Sequence, residues 1–140
     1  MKHMEKQLLI GHSKFWIDKK IIYCKVDSDF NTEKVDENVE VLFVQTITVL
    51  SQGKFLPFLI DVRELDFNQS IKLLKLLSNC ARIKSLILSK TFLVDSYKFK
   101  VLLSIYSFIC NPIVPDFVFK NVKRAVEHCD DDNMIFNAVN

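Results

Sequence analysis

Glycine is nearly missing from this chain: Gly11 and Gly53 are the only two in 140 residues. Phosphate-cradling loops of the G-x-G-x-x-G or G-x-x-x-x-G-K kind need clustered glycines, so neither nucleotide-binding loop is encoded. Proline is confined to Pro57, Pro112 and Pro115, which excludes a proline-rich segment. The four cysteines, Cys24, Cys80, Cys110 and Cys129, contain no C-x-x-C pair, so the spacing of a zinc knuckle or a dithiol centre is absent. They are expected to be buried thiols. No apolar run approaches the ~20 residues that span a bilayer, and no charged-then-apolar leader opens the chain. A cytoplasmic setting with no membrane span is the expectation. Lysine and arginine exceed aspartate and glutamate by only two, too little to predict a nucleic-acid partner or an anionic membrane surface.

What is present is apolar and bulky. Hydrophobic residues make up 49% and charged residues 26%, a globular balance, and twelve phenylalanines imply a dense core. A chain of this length fits one domain that buries roughly two-thirds of the surface its unfolded form exposes.

The hydrophobic pattern divides the chain into elements. Residues 1–13 read as a loosely ordered lead-in, residues 14–129 as the α/β domain, and residues 130–140, opening on Asp130-Asp131-Asp132, as a polar, mobile tail in which Met134, Ile135 and Phe136 are the residues able to dock. Phe15-Trp16-Ile17 and Ile21 to Val26 flank Asp18-Lys19-Lys20 as a β-hairpin whose turn type stays open without glycine. From Asn31 or Thr32, Val35, Val39, Leu42, Phe43, Thr46, Val49 and Leu50 recur at helical spacing, and Gly53 offers a left-handed stop. Phe58-Leu59-Ile60 then forms a buried strand closed by Asp61. A second helix over 70–83 turns Ile71, Leu74 and Leu77 inward and Lys72, Lys75 and Arg82 outward. Leu86 to Leu88 is a short strand, Asp95 or Ser96 caps a third helix ending near Cys110, Phe117 to Phe119 is a last strand, and Val122 to Cys129 a short helix. The order β-β-α-β-α-β-α-β-α predicts a single mixed sheet with an antiparallel hairpin and helical crossovers.

That order, with FWIDKKIIYCKV at the hairpin, FLIDVRELDFNQS at the central strand and loop, SLILSK on the next strand and NPIVPDFVFKNVKRAVEHC at the end, resembles the STAS domains of anti-sigma-factor antagonists. Uncharacterised bacterial STAS-like proteins are the closer likeness, covering approximately Phe15 to Cys129. In antagonists of this kind the loop before the second helix carries Asp-Ser-Ser-Gly, whose first serine is phosphorylated to control partner binding. The resemblance places Ser70 at that position, within Gln69-Ser70-Ile71-Lys72, where the preceding Asp, the second Ser and the Gly are missing. It implies a non-enzymatic interaction module.

Ser70 is expected to cap the second helix and is the candidate phosphoacceptor, since a phosphate there would lie beside the positive helix end. Asp66, Asn68, Gln69, Lys72, Lys75 and Arg82 are the candidate partner-binding residues. Asp61 is expected to accept bonds from Arg63 and nearby amides rather than to carry catalysis. His128 and Cys129 beside Asp130 do not make a metal site, because neighbours on a helix diverge, and His3 and His12 lie in the lead-in, too loosely held to complete a triad. No cofactor, metal or enzyme reaction is predicted. The third helix is over-apolar for a crossover: Phe99, Leu103, Tyr106 and Cys110 form the stripe assigned to an oligomer or apolar-ligand surface, with Leu102, Ile105 and Ile109 as another. A protein partner or a homodimer is the leading expectation; a carrier of an apolar small molecule or lipid between helices and sheet is the alternative.

Overall fold

A computed structural model describes residues 8–10, 13–30, 37–110 and 116–139 of the chain. They form one mixed six-stranded sheet with helices on both faces. Strands β1 (Leu8–Ile10), β2 (Ser13–Asp18) and β3 (Ile21–Val26) are antiparallel, whereas β4 (Leu56–Asp61), β5 (Ile87–Leu93) and β6 (Asp116–Phe119) extend the sheet in parallel from β3. The predicted α/β class with a hairpin and helical crossovers is the observed one.

The hairpin turns through Lys19 and Lys20, at φ 51° and 66°. Two positive φ values are what a two-residue I′ turn demands, so the lysines adopt the backbone that glycine usually supplies. In β4 all six residues are buried, and the register against β5 shifts between Leu56 and Pro57, where proline contributes no N–H to the ladder.

Strand order follows chain order from β1 to β6. Every parallel step therefore moves in the same direction, and crossovers of one hand must then cover one face. Helices α1 (Glu37–Ser51), α2 (Phe67–Asn79), α3 (Ala81–Lys84) and α4 (Tyr97–Cys110) lie on that face over Phe15, Ile22, Cys24, Phe58, Ile60 and Phe92. The opposite face carries α5 (Val122–Val139), whose Ala125 and Cys129 pack on Ile21, Leu59 and Leu93. Because the parallel strands never reverse their order, this part of the sheet has no switch point, the place where open α/β sheets ordinarily form a ligand crevice.

Several boundaries differ from the sequence reading. Helix α1 ends where expected, with Gly53 at φ 83°, while the segment 31–36 predicted to begin it lies outside the described residues. Leu8 to Ile10, assigned to the lead-in, pair with Ser13 to Phe15 as an edge strand. The predicted second helix breaks at Cys80, whose ψ of 100° is extended, so Arg82 stands on α3 and not on α2. The segment read as a polar tail is helical: α5 continues through Asp130, Asp131 and Asp132 to Val139. Polar bonds dock this second half. Ser89 Oγ donates to Asp132 Oδ2 at 2.7 Å, Asn133 Nδ2 donates to the Lys20 carbonyl at 3.0 Å, and Phe136 meets Phe55 edge-on at 6.2 Å.

Candidate functional site

The loop after β4 is built around Asp61, which is buried at the strand end. Its carboxylate accepts from the Arg63 backbone N–H at 3.1 Å, from Nε at 3.0 Å and from Nη2 at 2.8 Å. That bond is the main reason the Arg63 guanidinium is raised above its ordinary value. Lys25 and Glu64 form a second pair at 3.2 Å on the same edge, half-exposed and so contributing little. Asp61 thus acts as the expected bond acceptor, with its lone pairs turned toward Arg63.

Ser70 is neither cap nor accessible acceptor. Helix α2 begins three residues earlier, at Phe67, because Asp66 and Gln69 close a reciprocal capping box: the Asp66 side chain accepts from Gln69 N at 2.8 Å, and the Gln69 side chain accepts from Asp66 N at 2.9 Å. Ser70 falls one turn inside, 1% exposed, its hydroxyl donating to the Asp66 carbonyl at 3.0 Å. The cap expectation is corrected, since Asp66 holds that place, and phosphorylation of Ser70 would require this first turn to open. Gln69 is also committed, donating to the carbonyls of Ser28 and Phe30. An Asp66→Ala variant should lose ~1 kcal/mol in urea denaturation as the cap disappears. Ser70→Asp, the usual phosphate mimic, should lose more, because it places a charge in the interior; unchanged stability in that variant would show the hydroxyl to be accessible after all.

Beneath the helix layer is a polar network that the sequence reading did not anticipate. Lys90 of β5 is fully buried, its Nζ 3.1 Å from Asp116 Oδ1 on β6, with side-chain exposures of 0% and 1%. Ser107 of α4 donates to Asp116 Oδ2 at 2.6 Å, and Lys90 Nζ reaches Ser78 Oγ of α2 at 3.5 Å. Lysine is almost never fully buried unless paired. The signal was legible in SLILSKTFLV, where Lys90 interrupts an apolar strand in phase with Phe92, a residue on the helix-covered face.

Above this network lies an apolar exposed surface. On α4, Leu103 is 1% exposed and Phe99 and Tyr106 pack against the core, so the stripe assigned to an oligomer or ligand surface faces inward; the Cys110 side chain lies outside the described residues. The other stripe is the outer one. Leu102, Ile105 and Ile109 are exposed, joined by Val101 and by Phe108 at 85%. The reason is that α4 contacts β6 and α2 together, and Ser107, between Tyr106 and Phe108, must face Asp116. Phe67 meets Phe99 at 5.4 Å and Lys75 lies over the Tyr106 ring at 5.5 Å, which fixes α2 alongside α4. Of the candidate partner residues, Asp66, Asn68, Lys72 and Lys75 are exposed on α2 or its cap, while Arg82 is separated from them by the break at Cys80.

Charge is distributed unevenly in a way the net value conceals. From Phe67 to Pro115 the sole acidic residue is Asp95, against Lys72, Lys75, Arg82, Lys84, Lys90, Lys98 and Lys100. Helices α2 and α4 contain no acid at all. Their outer surface is therefore an apolar ridge with lysines on the α2 flank and at the α4 N-terminal end.

Among the described residues, burial disfavours the anionic forms of two thiols and a phenol. Burial pushes the Cys24 thiol strongly up and the Cys129 thiol up to about 11, and burial followed by Asp18 pushes the Tyr23 phenol up to about 12. His128 sits between the rings of Phe117 and Phe119, 3.5 Å from Asp132, whereas Cys129 faces Thr91. Among the described residues no group of three His, Cys, Asp or Glu side chains could hold a metal ion, and no helix is long and apolar enough to cross a membrane.

Fold and surface together define a single-sheet α/β protein in which each parallel crossover lies on the same face and whose distinguishing outer feature is the α4 ridge. The chain belongs to the family described as Domain of unknown function (DUF7793), which it matches over residues 15–131, from β2 into the middle of α5. No curated protein matches it.

Proposed function

We propose that the chain is a non-enzymatic, STAS-like interaction module that works in the cytoplasm and recognises a protein partner through the outer face of α2 and α4. The observation that carries this reading is the exposed α4 ridge, with Phe108 at 85% and Ile109 at 71% exposure. Leaving such side chains in water forgoes up to 1.5–3 kcal/mol for each that could be fully buried, and contiguous apolar surface of this kind marks contact sites. Buried, unpaired thiols at Cys24, Cys80 and Cys129 suit a reducing compartment. Partner recognition moves away from the Ser70 hydroxyl and onto α2 lysines and α4 apolar residues.

A carrier of an apolar molecule fits less well. The space between sheet and helices is filled by Phe15, Phe43, Phe58 and Phe92, each no more than 1% exposed. A cleft of about 380 Å³ lies elsewhere, against the start of β4, and Lys20, Lys54, Asn133 and Asn137 are among its lining residues. That mixed lining differs from the mainly apolar wall of a lipid cavity.

Reversing Lys72 and Lys75 to glutamate should weaken capture of the partner from native lysate at least several-fold while circular dichroism stays unchanged, since both side chains are exposed. Equal capture by the reversed and natural chains would remove α2 from the recognition surface.

A further inference from the structure

We infer that the cleft against the start of β4 binds a small organic monoanion with a flat apolar body, an aromatic carboxylate in chemical class. The cleft, of about 380 Å³, is of the size that takes such a molecule, and three separate elements wall it: Lys20 of the hairpin turn, Gly53 to Leu56 between α1 and β4, and Asn133, Phe136 and Asn137 near the end of α5. No residue of α2 or α4 lines it, so its occupancy is independent of the partner surface.

Lys20 is the first sign of a ligand. The second position of a I′ turn asks only that positive φ be tolerated, which glycine does without strain. Lysine stands there at φ 66°, and Asn133 holds the turn through the Lys20 backbone carbonyl, a bond that glycine would keep. Among the described residues no hydrogen bond or ion pair engages the Lys20 or Lys54 ammonium group. Backbone strain with no return inside the fold gathers at ligand sites. Phe55, 50% exposed and edge-on to Phe136 at 6.2 Å, supplies a flat apolar wall.

Charge sets the valence of the guest. The two lysines stand near the C-terminal ends of α1 and α5, whose dipoles each subtract roughly half a charge and leave an excess of about one. Asp18 on the hairpin and Glu127, Asp130, Asp131 and Asp132 on α5 do not line the cleft, and α1 carries its glutamates at the other end. Asp132 is held by Ser89, while Asp18 and Asp130 lie close enough to Tyr23 to raise its phenol. A carboxylate matches the excess, a dianionic phosphate exceeds it, and the Asn137 amide adds a group able to donate to the anion.

The test titrates naphthoate into the isotope-labelled full chain and follows backbone and side-chain amide signals by NMR. Signals of Gly53, Lys54, Asn133 and Asn137 should move together and saturate with a midpoint at or below ~1 mM, the range for a ligand of this size. Lys20→Gly should weaken binding roughly fivefold or more while its melting temperature does not fall, a pair of results that a purely structural lysine would not give. Lys54→Gln leaves the turn alone and should weaken binding to a similar degree, so the outcome does not hang on one variant's folding. Natural-strength binding by either variant, naphthylmethanol binding as tightly as naphthoate, inorganic phosphate binding more tightly at the same signals, or naphthoate moving only signals outside the cleft overturns the monoanion site.

Discussion

Replacing Asp116 by alanine should lower the free energy of unfolding by ~3–5 kcal/mol, the usual loss when one partner of a buried ion pair is removed. The size follows from what is left behind. Lys90 Nζ is fully buried and lies 3.1 Å from Asp116 Oδ1; without the carboxylate, the ammonium must shed its proton or draw water into the sheet. Ser107 loses its 2.6 Å acceptor at the same time, loosening α4 where it crosses β6. Urea denaturation of the single variant measures the loss. A second variant separates the charge from the packing: Lys90→Met with Asp116→Leu removes both charges and should recover most of the stability, because an apolar pair of similar volume needs no compensation. A drop below ~1 kcal/mol for Asp116→Ala would show that the pair contributes little to holding the helix layer on the sheet.

Phe15→Ala should cost a comparable ~3–5 kcal/mol, the range for deleting a large aromatic from a packed core. Phe15 is fully buried on β2, edge-on to Phe43 of α1 at 5.0 Å and stacked on Phe58 of β4 at 6.3 Å. One side chain therefore joins the hairpin, the first crossover helix and the central strand. Phe15→Leu retains much of the volume and should lose well under half as much. Thermal and urea unfolding of the two variants decide the matter: equal small losses would mean that the neighbouring rings close the void.

How much of this was readable from the chain depends on which force set each feature. The parallel strands and α1 declared themselves through period and breakers, since Phe58-Leu59-Ile60 is continuous and apolar and Gly53 takes the positive φ that ends a helix. The start of α2 was misplaced because two caps compete within five residues; Asp66 prevails over Ser70 since Gln69, three residues on, can bond back. The far half of α5 was hidden for a different reason. Its anchors include hydrogen bonds from Ser89 and Asn133 and the contact of Phe136 with Phe55, and none of these leaves a hydrophobic period.

The candidate surface was half legible. Excess apolarity in α4 was visible, yet which stripe turned outward depended on Ser107 finding Asp116, a contact between residues whose roles emerge only once β6 is beside β5. Sequence periodicity yields two stripes of similar strength, and a buried carboxylate on the neighbouring strand breaks the tie. Lysines on α2 were recognised as an outward row, but Arg82 was added to it because nothing in Asn79-Cys80-Ala81 announces the extended residue that separates α3.

The order of strands in the sheet has a consequence for how the chain is made. Each unit after the hairpin pairs with the strand completed just before it, so assembly can advance from the amino to the carboxyl end without waiting for distant pieces. Helix α5 reaches much further back, to β4 and the Lys20 turn. Until α5 is made, the side of the sheet that carries Leu59 and Leu93 lacks the helix that covers it, so this eighteen-residue element closes the second face.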